Sequence, residues 1–215
     1  MEEQVSQPYV DGSIRAFLDK LAGSSPEPGG GSVAALVGAL GAGLVSMVAS
    51  LTVGKEKYAD VQSQIQALLA ESESVRESLQ RLLQLDTEVY GAVSVAMKLP
   101  RDTEEQKAAR DAQMQVALKA AADVPLGIAE QALRVAELSW TAGDIGNVNA
   151  VSDAGVAVLL ADAAAQSAAL NVKINTGYIT DATFNAASWS RVQEILAETG
   201  RLRERVMTLT YEKLG

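Results

Sequence analysis

The 215-residue chain carries 18 Lys and Arg against 27 Asp and Glu, a net charge of −9, and has neither histidine nor cysteine. That inventory excludes disulfides, thiolate nucleophiles, Ser-His-Asp triads and the common zinc sites, and without two adjacent basic residues anywhere it argues against nucleic acid as a partner. Apolar residues make up 48%, with only two Phe, two Trp and five Tyr, so the chain is long enough for one core and its alanine-rich composition favours packed helices over sheets.

The start, "MEEQVSQPYVDGS", lacks the basic flank and apolar run of a signal peptide, which with the absence of cysteine predicts a cytoplasmic protein. Ser13 is placed to cap a short first helix, "IRAFLDKLA", ended by "GSSPEPGGG". A second helix is expected over about 32–52, then a turn in "VGKEKYAD", then a long third helix over about 59–99 closed by Pro100. Thr103 and Gln106 have the spacing of a capping box and open a fourth helix. Pro125 fits the first turn of a fifth, to about residue 142. The polar loop "GDIGNVNAVSD" feeds a sixth helix, and a last amphipathic helix covers about 183–213. No alternating strand pattern and no internal repeat is present. The expected architecture is all-α: one domain, 1–215, of six to seven helices around a long central apolar Gly/Ala-rich helix.

That central run, residues 33–53, has the length of a membrane span, but its Ser46, Ser50, Thr52 and three glycines point to a buried core helix. Small residues at Ala34, Gly38 and Ala42, and at Ala35, Ala39 and Gly43, provide two flanks for close contact with neighbouring helices or a second subunit. "GAGLVS" lies inside this helix, and "VGKEK" lacks the upstream glycine and the Ser/Thr of a phosphate loop, so neither is a nucleotide motif. Residues 29–32, at the helix start, have two open readings: free amides for an anion or carbonyl oxygen, or a turn with Ser32 as cap.

On the third helix Asp86 falls on the apolar stripe, four residues from both Leu82 and Tyr90 and seven from Leu79 and Val93. An acid there is either a perturbed proton-transfer group or a buried carboxylate satisfied by a partner. Glu71, Glu73 and Glu77 have polar neighbours and are expected to be solvated. Asp144, Asn147, Asn149, Ser152 and Asp153 concentrate more polar side chains than capping of one helix needs, which leaves a binding loop and a capping loop both open.

Four segments, "PEPGGGSVAALVGALGAGLVSMVASLTVGKEKY", "DTEVYGAVSVAMKLPRDTEEQKAAR", "ADVPLGIAEQAL" and "GNVNAVSDAGVAVLLADAAAQSAALNVKIN", in this order and over nearly the whole chain, resemble the cyclodeaminase/cyclohydrolase family of folate enzymes. The resemblance implies an all-α homodimer with folate in a cleft near the subunit contact. It implies that Asp86 is the proton donor, ahead of the aromatic Tyr90, and that Lys55, Arg101, Asn147, Ser152 and Asp153 match family positions. Glu27 and Gln84 depart from the pattern, standing where many members have a small residue and some have an acid. The implied substrate is a tetrahydrofolate derivative, with no cofactor and no metal. The implied reaction is hydrolysis of 5,10-methenyltetrahydrofolate to 10-formyltetrahydrofolate, or alternatively ammonia release from formiminotetrahydrofolate. A non-catalytic dimerisation module is the remaining alternative. Lys55, Arg101 and the amides of Gly30, Gly31 and Ser32 are the candidates for the carboxylates of the folate tail.

Overall fold

A computed structural model describes residues 9–215, and in this span there are six α-helices and no strand. They are α1 (Ile14–Leu21), α2 (Gly30–Ser50), α3 (Gln62–Met97), α4 (Glu104–Ile145), α5 (Val151–Thr176) and α6 (Ala182–Leu214), with 3-10 turns at Tyr9–Asp11, Glu56–Val61 and Val148–Ala150. Three starts follow the expected chemistry: Ser13 Oγ accepts from Ala16 N, Thr103 and Gln106 form both bonds of a capping box, and Asp181 accepts from Phe184 N.

Packing of α2 explains its composition. Ala34, Ala35, Ala42, Val45, Val48 and Ala49 are fully buried, because this helix runs between α3, α4 and α5. A Cβ on Gly38 would stand 3.2 Å from the Leu79 methyls of α3, and one on Gly41 would stand 3.1 Å from both Ala157 O of α5 and Val135 of α4. Small residues therefore set how near the backbones lie. By length and composition alone α2 and Val148–Thr176 could each cross a membrane, yet 61% and 56% of their apolar windows are buried within the fold.

The structure corrects two helix boundaries. The expected break before Pro125 is absent: α4 runs unbroken for 42 residues, about 63 Å at ~1.5 Å per residue, with Pro125 inside it. Proline has no N–H for Ala121 O, four residues back, and a break normally follows. Here Asn175 Nδ2 of α5 donates to Ala121 O at 2.6 Å and replaces the missing bond. The third helix begins at Gln62 instead of residue 59, because Tyr58 has non-helical backbone angles. Gln62 clamps that turn, accepting from Gly54 N and donating to the carbonyls of Thr52 and Tyr58.

The α3 glutamates Glu71, Glu73 and Glu77 are solvent-accessible as expected, with side chains 43%, 40% and 60% exposed, and the first two are also strongly ion-paired. Glu71 bridges Arg134 of α4. Glu73 is bonded to Arg76, which with Ser46 holds its carboxyl down to about 2. Between α5 and α6, the buried Asp162 is matched by Arg203 at 2.7 Å and Gln166 at 2.8 Å.

Candidate active site

A cavity of about 750 Å³ opens where the start of α2, the second half of α3, the first half of α4 and the end of α5 meet. Among the described residues its carboxylates are Asp86 and Glu27, its one cation is Arg110, and its walls include Val89, Val93, Met114 and Leu118. Such a mixture, mostly apolar with a few convergent polar groups, suits a small organic ligand. A second cavity of about 540 Å³ lies under α1 and is almost wholly apolar; its single charged residue, Arg76, is bonded to Glu73.

Asp86 is brought into the cavity by the α3 stripe that buries Leu83 one turn and Leu79 two turns earlier. Its carboxylate rests on the first turn of α2, where Ser32 Oγ donates to Oδ2 at 2.7 Å. Gly31 is required by this approach: a Cβ there would fall 2.6 Å from Asp86 Cγ and 2.8 Å from Oδ2, closer than any real contact. Burial pushes the Asp86 carboxyl above the usual carboxylate range, and the Ser32 bonds act in the opposite direction without cancelling it. The group is thus a carboxylate that gains a proton more readily than an ordinary one, facing a cavity, with a fixed donor on one oxygen.

Of the candidates named from sequence, Gly30, Gly31, Asp86 and Tyr90 line this cavity, and Ser32 lies fully buried directly behind Asp86. Tyr90 is 46% exposed, one turn beyond the acid. The α2 N-terminal donors at Ser32 are engaged by the protein's own carboxylate. The others are elsewhere. Arg101 is exposed in the α3–α4 loop and does not line the cavity. Lys55 is exposed past the far end of α2, a helix of 21 residues and about 31 Å. Asn147, Asn149, Ser152 and Asp153 gather near that same far end, around the 3-10 turn and the first turn of α5. There Asn147 N donates to Thr52 Oγ1, Asn147 Nδ2 to Leu51 O, Val148 N to the Tyr58 hydroxyl, and Asn149 N to Asn147 Oδ1. Among the described residues no group of three or more carboxylates is placed to hold a metal ion.

Several further polar wall residues are not among the sequence candidates, Asn171 and Arg110 among them. Asn171 of α5 lies against Gly30, where a Cβ would meet its Nδ2 at 3.3 Å, and donates to Ser167 O. Arg110 of α4 stands four residues before Met114, eight before Leu118 and eleven before Ala121, all in the cavity wall. The test that singles out Asp86, a charge on an apolar helical stripe, finds Arg110 when applied to α4.

Residues 13–194 match the family model described as formiminotransferase-cyclodeaminase. The chain is 45% identical to a methenyltetrahydrofolate cyclohydrolase of Methylorubrum extorquens, over 94% of this chain and 98% of that protein. It is 33% identical to the formimidoyltransferase-cyclodeaminase of Rattus norvegicus, over 89% of this chain and 36% of that longer protein. Its fold is similar to the crystal structure of formiminotetrahydrofolate cyclodeaminase from Thermotoga maritima, with a TM-score of 0.85 and 30% identity, covering 94% of this chain and 98% of that one.

Proposed function

The chain belongs to the formiminotransferase-cyclodeaminase family, and from that premise we propose that it hydrolyses 5,10-methenyltetrahydrofolate to 10-formyltetrahydrofolate, with Asp86 as the proton-transferring group. Support for the reaction comes from the 45% identical cyclohydrolase, which spans almost the same length. Support for the residue comes from one observation: a partly desolvated carboxylate facing the cavity, fixed by Ser32.

The substrate carries a positive amidinium carbon between N5 and N10. Asp86 as carboxylate stabilises that charge and takes a proton from the water that adds to the carbon. When the tetrahedral adduct collapses, the bond from carbon to N5 breaks, and the proton on Asp86 passes to N5. The hydroxyl proton is lost to solvent, leaving the formyl group on N10. Ser32 holds Oδ2 and so fixes the carboxylate at the cavity wall while it exchanges the proton. A raised proton affinity suits a group that must both accept and return a proton.

The cyclodeaminase reading is favoured by the Thermotoga relative. In it N10 attacks the formimino carbon, ammonia leaves, and the same carboxylate serves the proton transfer. One assay separates the two: the purified protein is offered each folate, and ring opening of the methenyl compound and ammonia release from the formimino compound are followed. Ring opening is the expected result. Ammonia release alone would promote the second reading, and turnover of neither would remove both.

The working form is a homodimer. Exposed apolar side chains on α2 (Leu40, Met47) and on α5, packed beside it (Val156, Leu159, Leu170, Ile174), supply a face for a second copy, and Ile174 also borders the cavity. Sedimentation as a stable, active monomer would remove this part. A cytoplasmic location accords with a chain without cysteine.

A further inference from the structure

We propose that Arg110 receives the glutamate-tail carboxylate of the folate, at the opposite end of the cavity from Asp86, an inference that rests on the folate reading given above. Among the described residues Arg110 is the one basic residue in the cavity wall, and its side chain is only 25% exposed. Among the described residues its guanidinium is weakly matched: Nε reaches Met97 O at 3.5 Å and Nη1 reaches Asp111 Oδ1 at 3.5 Å, while Nη2 has no bond. Arg76, Arg134, Arg191 and Arg203, by contrast, all have a carboxylate from another turn or helix within 3.1 Å. A three-quarters-shielded guanidinium with its fork largely unfilled is suited to a carboxylate brought by a ligand.

Spacing gives the ligand its direction. Arg110 touches Met97 on α3, which is eleven residues beyond Asp86, about 16 Å along the helix. Between these ends the wall is apolar, with Val89 and Val93 from α3 facing Met114 and Leu118 from α4. The substrate has the same order: a cationic reacting carbon, then an aromatic aminobenzoyl ring, then the anionic glutamate. Asp86 meets the cation, the apolar lane takes the ring, and Arg110 meets the anion. Lys55 and Arg101, the cations that sequence suggested for the tail, are absent from this wall.

The test compares two probes, tetrahydrofolate and tetrahydropteroate, which lacks the glutamate, by binding, and their methenyl derivatives by kcat/KM. Wild type is expected to prefer the probe with the tail by about tenfold or more, with the difference in Kd and KM instead of kcat. In Arg110→Ala the ratio between the probes falls toward one, and Arg110→Lys restores part of it. Added salt shrinks the wild-type ratio. A wild type with no tail preference, or an Arg110→Ala protein with the full preference, overturns the proposal, and the wild-type arm decides even if the variant does not fold. Tail preference lost in Arg110→Ala without methenyl turnover by wild type would sink the cyclohydrolase reading and keep the tail site. Turnover with the preference intact in the variant would do the reverse.

Discussion

The two ends of α2 are both rich in polar groups, but they use them differently. At the N-terminal end the helix presents amides, and a carboxylate from another helix, Asp86, settles on them beside a cavity. At the C-terminal end the helix presents carbonyls, and the donors come from the neighbouring loop: Asn147 Nδ2 reaches Leu51 O, and Thr52 Oγ1 links Val48 O to Asn147 N. The N-terminal end receives the negative charge its dipole favours, and the C-terminal end receives neutral donors. The difference lies in what remains. At the far end these groups are matched within the protein, whereas Asp86 lines the cavity with its proton affinity raised by burial. A high density of polar residues is therefore a weaker sign of chemistry than one ionisable group whose needs are met only in part.

The comparison breaks most directly at Asp86. Asp86→Asn is expected to lower turnover about 100- to 10,000-fold while leaving the fold intact, read by steady-state rates beside thermal melting. Retained turnover would mean that the carboxylate at this end is merely structural. Next in size is Gly31→Ala. The new methyl occupies the place of the Asp86 carboxylate and turns it off Ser32, for an expected loss of about 100-fold in rate with only modest loss of stability.

At the other end the expected effect is on stability. Thr52 is fully buried and both accepts and donates, so Thr52→Val should cost about 1–3 kcal/mol in denaturant unfolding. A large rate loss per folded molecule in this variant would erase the contrast between the ends. The smallest effect is the pH dependence of stability. Because burial raises the folded pKa of Asp86, its contribution is fully present below the unfolded value of about 3.9 and is lost as pH rises through the folded one. Asp86→Asn should thus gain stability relative to wild type between pH 4 and pH 7, and melting curves at both values check the sign.

The helices, the caps at Ser13 and Thr103 and the place of Asp86 on an apolar stripe are legible in the sequence because they are encoded locally, in spacing along one helix, whereas α2 starts at a Gly29 cap instead of Ser32. The continuity of α4 is not legible there because the cure for Pro125 is Asn175, from a different helix 54 residues from the carbonyl it serves. The structural pairing of the loop around Asn147 is not legible in the sequence for a related reason: the groups it bonds, Leu51, Thr52 and Tyr58, are 90 or more residues away. Arg110 was within reach, since it interrupts the α4 stripe as Asp86 interrupts that of α3, but it was hidden by the neighbouring charges of the capping-box turn.

On the proposed reading, one carboxylate, desolvated at the start of α2, accepts and returns the proton of the reaction. The pH profile of kcat/KM for 5,10-methenyltetrahydrofolate tests it most directly. Wild type should lose activity as pH falls through a single ionisation above the ordinary carboxylate range, and the residual rate of Asp86→Asn should lack that limb. The same acid limb in Asp86→Asn would contradict the account.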